Sequence, residues 1–144
     1  MNVLFVCTGN TCRSPMAEAI LKMKAKNIKV KSAGIFAANG SNASPQVIQI
    51  LQEKTLPFKH QSQPLSEELI HWSDYIFTMT ENHKQMIVQH YPNEEGKTFT
   101  LKEYVLDGLE NPDVHDPYGG SVEIYKQTYE ELESLIEALI DKLK

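Results

Sequence analysis

Two hydrophobic rhythms alternate along the chain. Residues 2–7 (NVLFVC) are a short apolar run rich in β-formers, stopped by Thr8-Gly9-Asn10, and they predict a buried strand. A helix follows, with Ser14 as N-cap and Pro15 at the first helical position, where a missing N–H costs nothing. Met16, Ala19, Ile20 and Met23 supply its inward stripe. Residues 28–32 alternate apolar and polar, as a half-exposed strand does, and Ala33-Gly34 closes them. Ser44-Pro45 opens a second helix with Val47, Ile48 and Leu51 inward, and residues 58–62 form a weak short strand. Residues 65–68 cap a short helix ending near Trp72, which packs. Residues 74–80 (DYIFTMT) are the third clear strand, and Thr80 caps a helix to about His90, with His83, Lys84 and His90 at the surface. Residues 97–100 make a last short strand, and Thr100 with Glu103 forms a capping box. The final helix carries one stripe of Tyr125, Thr128, Tyr129, Leu132, Leu135, Ile136, Leu139 and Leu143, with Glu130, Glu131, Glu133 and Glu137 on its solvated face. The long irregular stretch is residues 106–120. Strands alternating with helices predict an α/β fold with an open, mainly parallel sheet covered on both faces, and ligands in such folds bind beyond the carboxyl ends of the strands.

Composition narrows the class. A length of 144 residues suits one domain, residues 1–144, which buries roughly two thirds of its unfolded surface without staples. Two cysteines cannot build a disulfide framework or a four-cysteine zinc site. The longest apolar run, residues 3–7, is far short of the ~20 residues that span a membrane. No basic patch leads into an apolar stretch and cleavage site, so no signal peptide is expected. A net charge of −5 argues against non-specific nucleic-acid binding. The expectation is a soluble cytoplasmic domain with neither a nucleic-acid nor a membrane partner.

The chemistry concentrates where the first strand meets the first helix. Of 14 basic residues only Arg13 is an arginine, and both cysteines, Cys7 and Cys12, lie within six residues of it. The segment Cys7-Thr8-Gly9-Asn10-Thr11-Cys12-Arg13-Ser14 is a small, polar loop whose amides can turn inward around an oxyanion, backed by a helix N-terminus. Gly9 and Asn10 are suited to the positive φ that such a cradle needs. Arg13 can hold two phosphoryl oxygens with its planar fork, as lysine cannot. The same field favours the thiolate of Cys7, a nucleophile, and Ser14 can hydrogen-bond its sulfur. A thiolate under a phosphate cradle is suited to phosphoryl transfer, which also needs a proton donor for the leaving group. Asp116-Pro117-Tyr118-Gly119-Gly120 offers Asp116 for that role, with Asp113 as reserve. A Cys7–Cys12 disulfide is conceivable if the Cα atoms lie within ~7 Å, and it would shield Cys7 from irreversible oxidation.

VCTGNTCRSP and DPYGG together resemble the low-molecular-weight protein tyrosine phosphatases over nearly the whole chain, including Ser-Ala-Gly at Ser32 to Gly34. The resemblance implies a three-layer domain around a four-stranded parallel sheet, with the phosphate loop after the first strand. It implies a cysteinyl-phosphate intermediate and no metal; the expectation is further of phosphorylated proteins as substrates, no other cofactor, and a monomer. It makes Cys7 the nucleophile, Arg13 the phosphate ligand and Asp116 the general acid. Thr8, Gly9, Asn10, Thr11, Cys12, Ser14 and Tyr118 then surround the substrate, while Asn10, Ser14, Ser32 and His60 hold the loop in shape. Tyrosine-specific members usually carry a bulky aliphatic residue at the position of Thr11, and often a second aromatic at Gly119. Thr11 is similar to the variant in bacterial protein-arginine phosphatases, where a smaller, polar wall suits a guanidinium better than a phenyl ring.

Four rivals remain. One is a tyrosine phosphatase that tolerates Thr11. An arsenate reductase would want a third cysteine. A phosphoprotein-binding module would need neither thiolate nor acid. A dithiol redox protein favours two residues between its cysteines, where this chain has four.

Overall fold

The computed structural model describes residues 1–56, 60–106 and 111–144. Its strands are β1 (Asn2–Cys7), β2 (Lys29–Gly34), β3 (Tyr75–Thr78) and β4 (Thr98–Thr100). Its helices are α1 (Arg13–Lys24), α2 (Pro45–Glu53), α3 (Glu67–Trp72), α4 (Glu81–His90), α5 (Leu101–Val105) and α6 (Val122–Leu143), with a 3-10 turn at Pro92–Lys97. All strand pairs are parallel, in the order β2-β1-β3-β4. The pleat of β1 sends Val3, Phe5 and Cys7 into a core with α1, α2, α5 and α6. Leu4 and Val6 enter a smaller core under α3 and α4. The sheet is therefore a middle layer, and the end of β1 lies between β2 and β3 at its carboxyl edge. Among the described residues no helix is long and apolar enough to cross a membrane.

The caps at Ser66, Thr80 and the Thr100–Glu103 box form as the sequence predicts, and Ser121 caps α6 in the same way. Several boundaries move. Helix α1 starts at Arg13 after Cys12, and Ser14 is no cap because its hydroxyl is engaged at the phosphate loop. Met23 is 45% exposed and Ile48 41%; the buried stripes run through Met16, Ala17 and Ile20 and through Val47, Ile50 and Leu51. Strand β2 extends to Gly34, where it pairs with Cys7, while β3 and β4 are shorter than their apolar runs. The strand expected over residues 58–62 begins outside the described residues; within them, Gln61 makes an isolated bridge with Asn42. Leu143, expected in the α6 stripe, is half-buried at the helix end.

Candidate active site

The loop from Cys7 to Ser14 has its carbonyls turned outward. The Cys7 and Thr8 oxygens accept from Ile35 N–H and Phe36 N–H at 3.0 and 2.9 Å. The Thr11 and Cys12 oxygens accept from Ser44 N–H and Met16 N–H at 2.9 and 3.3 Å. The Asn10 oxygen lies 2.6 Å from His60 Nε2. A carbonyl only accepts, so His60 carries its proton on Nε2. In a trans peptide each N–H points opposite to the preceding carbonyl, and no cis bond occurs among the described residues. The amides of Thr8, Gly9, Thr11, Cys12 and Arg13 therefore face inward, and Asn10 N–H donates to Cys7 Sγ at 3.3 Å. This is the oxyanion nest that the sequence implied.

A directed chain of side chains fixes that shape. Asn10, at φ +56°, is the loop residue in the left-handed region; Gly9 is not. The Asn10 amide donates to Ser14 Oγ at 2.8 Å and to Ser32 Oγ at 2.9 Å, and its oxygen accepts from Gln63 N–H at 3.0 Å. Ser32 donates onward to Glu18 at 2.5 Å, and Lys22 donates to the other Glu18 oxygen at 2.7 Å. Because Ser14 Oγ already accepts from Asn10, its proton is free for Cys7 Sγ, 2.9 Å away. Gly34 completes the support from β2. A Cβ there would stand 2.6 Å from the Thr8 oxygen and 2.8 Å from the Asn10 nitrogen, so only glycine lets the strand lie this close.

Arg13 is 4% exposed and joins this loop to the one opposite. Its Nη1 donates to the Val114 carbonyl at 3.0 Å, and its Nη2 lies 3.7 Å from Asp116 Oδ2. Val114 N–H in turn bonds the Met79 carbonyl at 2.8 Å, just past β3. Asp116 Oδ1 accepts from Tyr118 N–H at 3.0 Å, and Gly119 turns at φ +80°. Asp113 is committed elsewhere, accepting from Glu81 N–H at the start of α4 at 2.8 Å. Cys7, Thr8, Gly9, Thr11, Cys12, Arg13, Asp116 and Tyr118 line one cavity of about 220 Å³. Asn10, Ser14, Ser32 and His60 stand behind its wall. The sequence-predicted residues are thus brought together, while Asp113 lines the adjoining cavity that Arg13 and Asp116 also share.

Several contributors were missed. Gln63 is one, and Glu18 another; Glu18 sits one turn beyond Ser14 on a helix that is otherwise apolar there, which is a readable signal. His83 was expected at the surface and is 6% exposed. Its Nε2 lies 2.9 Å from Thr8 Oγ1. Burial, reinforced by the Arg13 charge and opposed by Asp113 and Asp116, pushes its pKa down to about 4. Its place in the first turn after β3, at the carboxyl edge of the sheet, was the available clue. Cys7 and Cys12 are free thiols, and Cys12 Sγ lies 3.4 Å from the Tyr125 hydroxyl. Burial, with that contact, pushes Tyr125 up to about 12.

Comparison with known proteins agrees with this geometry. The family model for low molecular weight phosphotyrosine protein phosphatase matches residues 2–144. The chain is 48% identical to the protein-arginine-phosphatase of Bacillus subtilis (strain 168), over all of this chain and 97% of the relative. It is 45% identical to the low molecular weight protein-tyrosine-phosphatase PtpB of Staphylococcus aureus, over 98% of each. Among solved structures it resembles a cysteine-to-serine mutant of YwlE arginine phosphatase with a phosphorylated active-site serine, at TM-score 0.94 and 48% identity, covering 99% of this chain and 95% of that one.

Proposed function

The chain belongs to the low molecular weight phosphotyrosine protein phosphatase family, and from that premise we propose that it hydrolyses phosphoarginine in proteins through a cysteinyl-phosphate intermediate. In the first step Cys7 Sγ attacks phosphorus in line; the S–P bond forms as the P–N bond breaks. Arg13 and the inward amides hold the equatorial oxygens, where charge builds. The Asp116 carboxyl group gives its proton to the departing nitrogen, and the resulting anion faces the guanidinium left behind. In the second step water attacks the cysteinyl phosphate, Asp116 takes the water proton, and the Cys7 thiolate leaves with inorganic phosphate. The Ser14 proton, 2.9 Å from the sulfur, stabilises that leaving thiolate.

The observation that carries the choice of arginine is Thr11. It lines the same cavity as Cys7, where a hydroxyl replaces the aliphatic wall that packs on a phenyl ring. The test is a comparison of matched phosphoarginine and phosphotyrosine peptides. The wild-type chain should prefer phosphoarginine, and Thr11→Ile should move the preference toward phosphotyrosine. Faster turnover of phosphotyrosine, unchanged by Thr11→Ile, would make the chain a tyrosine phosphatase.

The same proposal assigns the activity to one domain, residues 1–144, acting as a monomer in the cytoplasm. It includes reversible protection of Cys7 by Cys12. Peroxide followed by thiol should restore activity in the wild-type chain and not in Cys12→Ser; equal recovery in both would remove that protection.

A further inference from the structure

One buried group beside the phosphate loop has no task in the reaction just described. His83, in the first turn of α4, places Nε2 2.9 Å from Thr8 Oγ1, while its buried Nδ1 has no hydrogen-bond partner among the described residues. A buried orphan N–H is costlier and rarer than an orphan lone pair. Nδ1 therefore keeps its lone pair, and the proton resides on Nε2, which donates to Thr8 Oγ1. The proton of the Thr8 hydroxyl must then point away from the ring. Thr8 is exposed and lines the cavity over Cys7.

We propose that His83 is a positioning residue: its Nε2–H holds Thr8 Oγ1 as an acceptor and so aims the Thr8 hydroxyl proton into the cavity, as a donor to a phosphoryl oxygen. This deepens the phosphatase reading of the Cys7 loop and rests on it. The surroundings keep the ring in the required form. Arg13 on α1 repels a second positive charge, and burial disfavours it further. Asp113 and Asp116 pull the other way from the opposite loop, and the Thr80 hydroxyl accepts from the His83 backbone N–H. A charged ring would also carry an N–H at Nδ1 with no acceptor among the described residues. The other phosphoryl donors in the proposed mechanism are inward backbone amides and Arg13. Thr8 adds a side-chain hydroxyl whose direction is set from outside the loop.

Nitrogen-15 NMR of the wild-type chain at pH 7 reads the tautomer directly. Protonated Nε2 with bare Nδ1 is expected; a proton on Nδ1, or a charged ring, overturns the proposal. Inorganic phosphate is then titrated into the wild-type chain, Thr8→Val, His83→Ala, His83→Gln and the Thr8→Val/His83→Ala double variant. Thr8→Val and His83→Ala should each weaken phosphate binding by about 5- to 10-fold. The double variant should bind no more weakly than Thr8→Val alone, since the ring acts through that hydroxyl. His83→Gln, whose amide can donate from near the Nε2 position, should recover most of the loss. No weakening in His83→Ala, or the same weakening with and without the Thr8 hydroxyl, overturns the proposal. A wild-type chain that binds no phosphate overturns the phosphatase reading with it, so the two failures differ.

Discussion

In the loop that follows β1, Cys7, Asn10, Cys12, Arg13 and Ser14 are all buried, and its carbonyls are tied to neighbouring elements. Across the cavity Asp116 is 54% exposed and Tyr118 79%, and their segment is tied down at its base, through Asp113, Val114 and the turn at Asp116. The difference fits the two tasks proposed for these regions. An anion cradle must keep its donors where charge develops, because reorganising them during the reaction forfeits their electrostatic effect. A proton donor must meet a leaving group that arrives and departs with a protein substrate, and exposure gives it that access. Arg13 belongs to both regions, since it closes the Cys7 loop and also bonds the base of the segment that carries Asp116.

The contrast can be broken most forcefully at that shared residue. Arg13→Lys keeps the charge and loses the fork, together with the fixed contact to Val114; kcat/KM should fall by on the order of 10³-fold, measured on phosphopeptides. Asp116→Asn should lower kcat by about 10²-fold while leaving phosphate affinity near wild type, because only the exposed partner is altered. A large loss of phosphate affinity in that variant would mean that Asp116 belongs to the cradle. Gly34→Ala tests the rigid side from behind. Its new Cβ would press on Thr8 and Asn10, so chemical denaturation should show about 2 kcal/mol of lost stability, with weaker phosphate binding and no change at Asp116.

The last effect is thermodynamic and is read as a slope against pH. His83 has a pKa of about 4 in the folded chain against an ordinary 6.5. The unfolded chain therefore binds the extra proton between these values, so stability is full above about pH 6.5 and falls as the pH drops toward 4. The slope should reach at most about 1.4 kcal/mol per pH unit, and the difference between wild type and His83→Gln isolates it. Parallel stability curves for the two chains would contradict the burial of His83.

What could be read in advance follows a physical division. Local signals were legible: the apolar run of β1, the Thr100–Glu103 box, and the cysteine-to-arginine loop opening a helix all act over a few residues. Ser14 shows where that logic fails. As a sequence feature it is a helix cap; in the fold its hydroxyl is drawn to Cys7 and Asn10, and the helix begins without it. Gln63 and Gly34 reach the site from the segment after His60 and from β2, so their roles exist only once strand order is set; Glu18, marked in the sequence as the one acid on an apolar turn of α1, meets Ser32 only then. Resemblance supplied Ser32 and His60, which spacing alone did not distinguish from ordinary polar positions. His83 was missed because an amphipathic helix with polar ends gives no sign of which end is covered.

The scarcity of arginine gives the chain a spectroscopic advantage. With Arg13 as its sole guanidinium, any arginine-selective signal comes from the cavity over Cys7 and from nowhere else. A sample labelled only in arginine would report phosphate arrival, loss of the Val114 contact or approach of Asp116 as changes in the resonances of a single residue. A dicarbonyl reagent that modifies arginine would inactivate the chain in a single hit, and the number of groups modified would count the working sites.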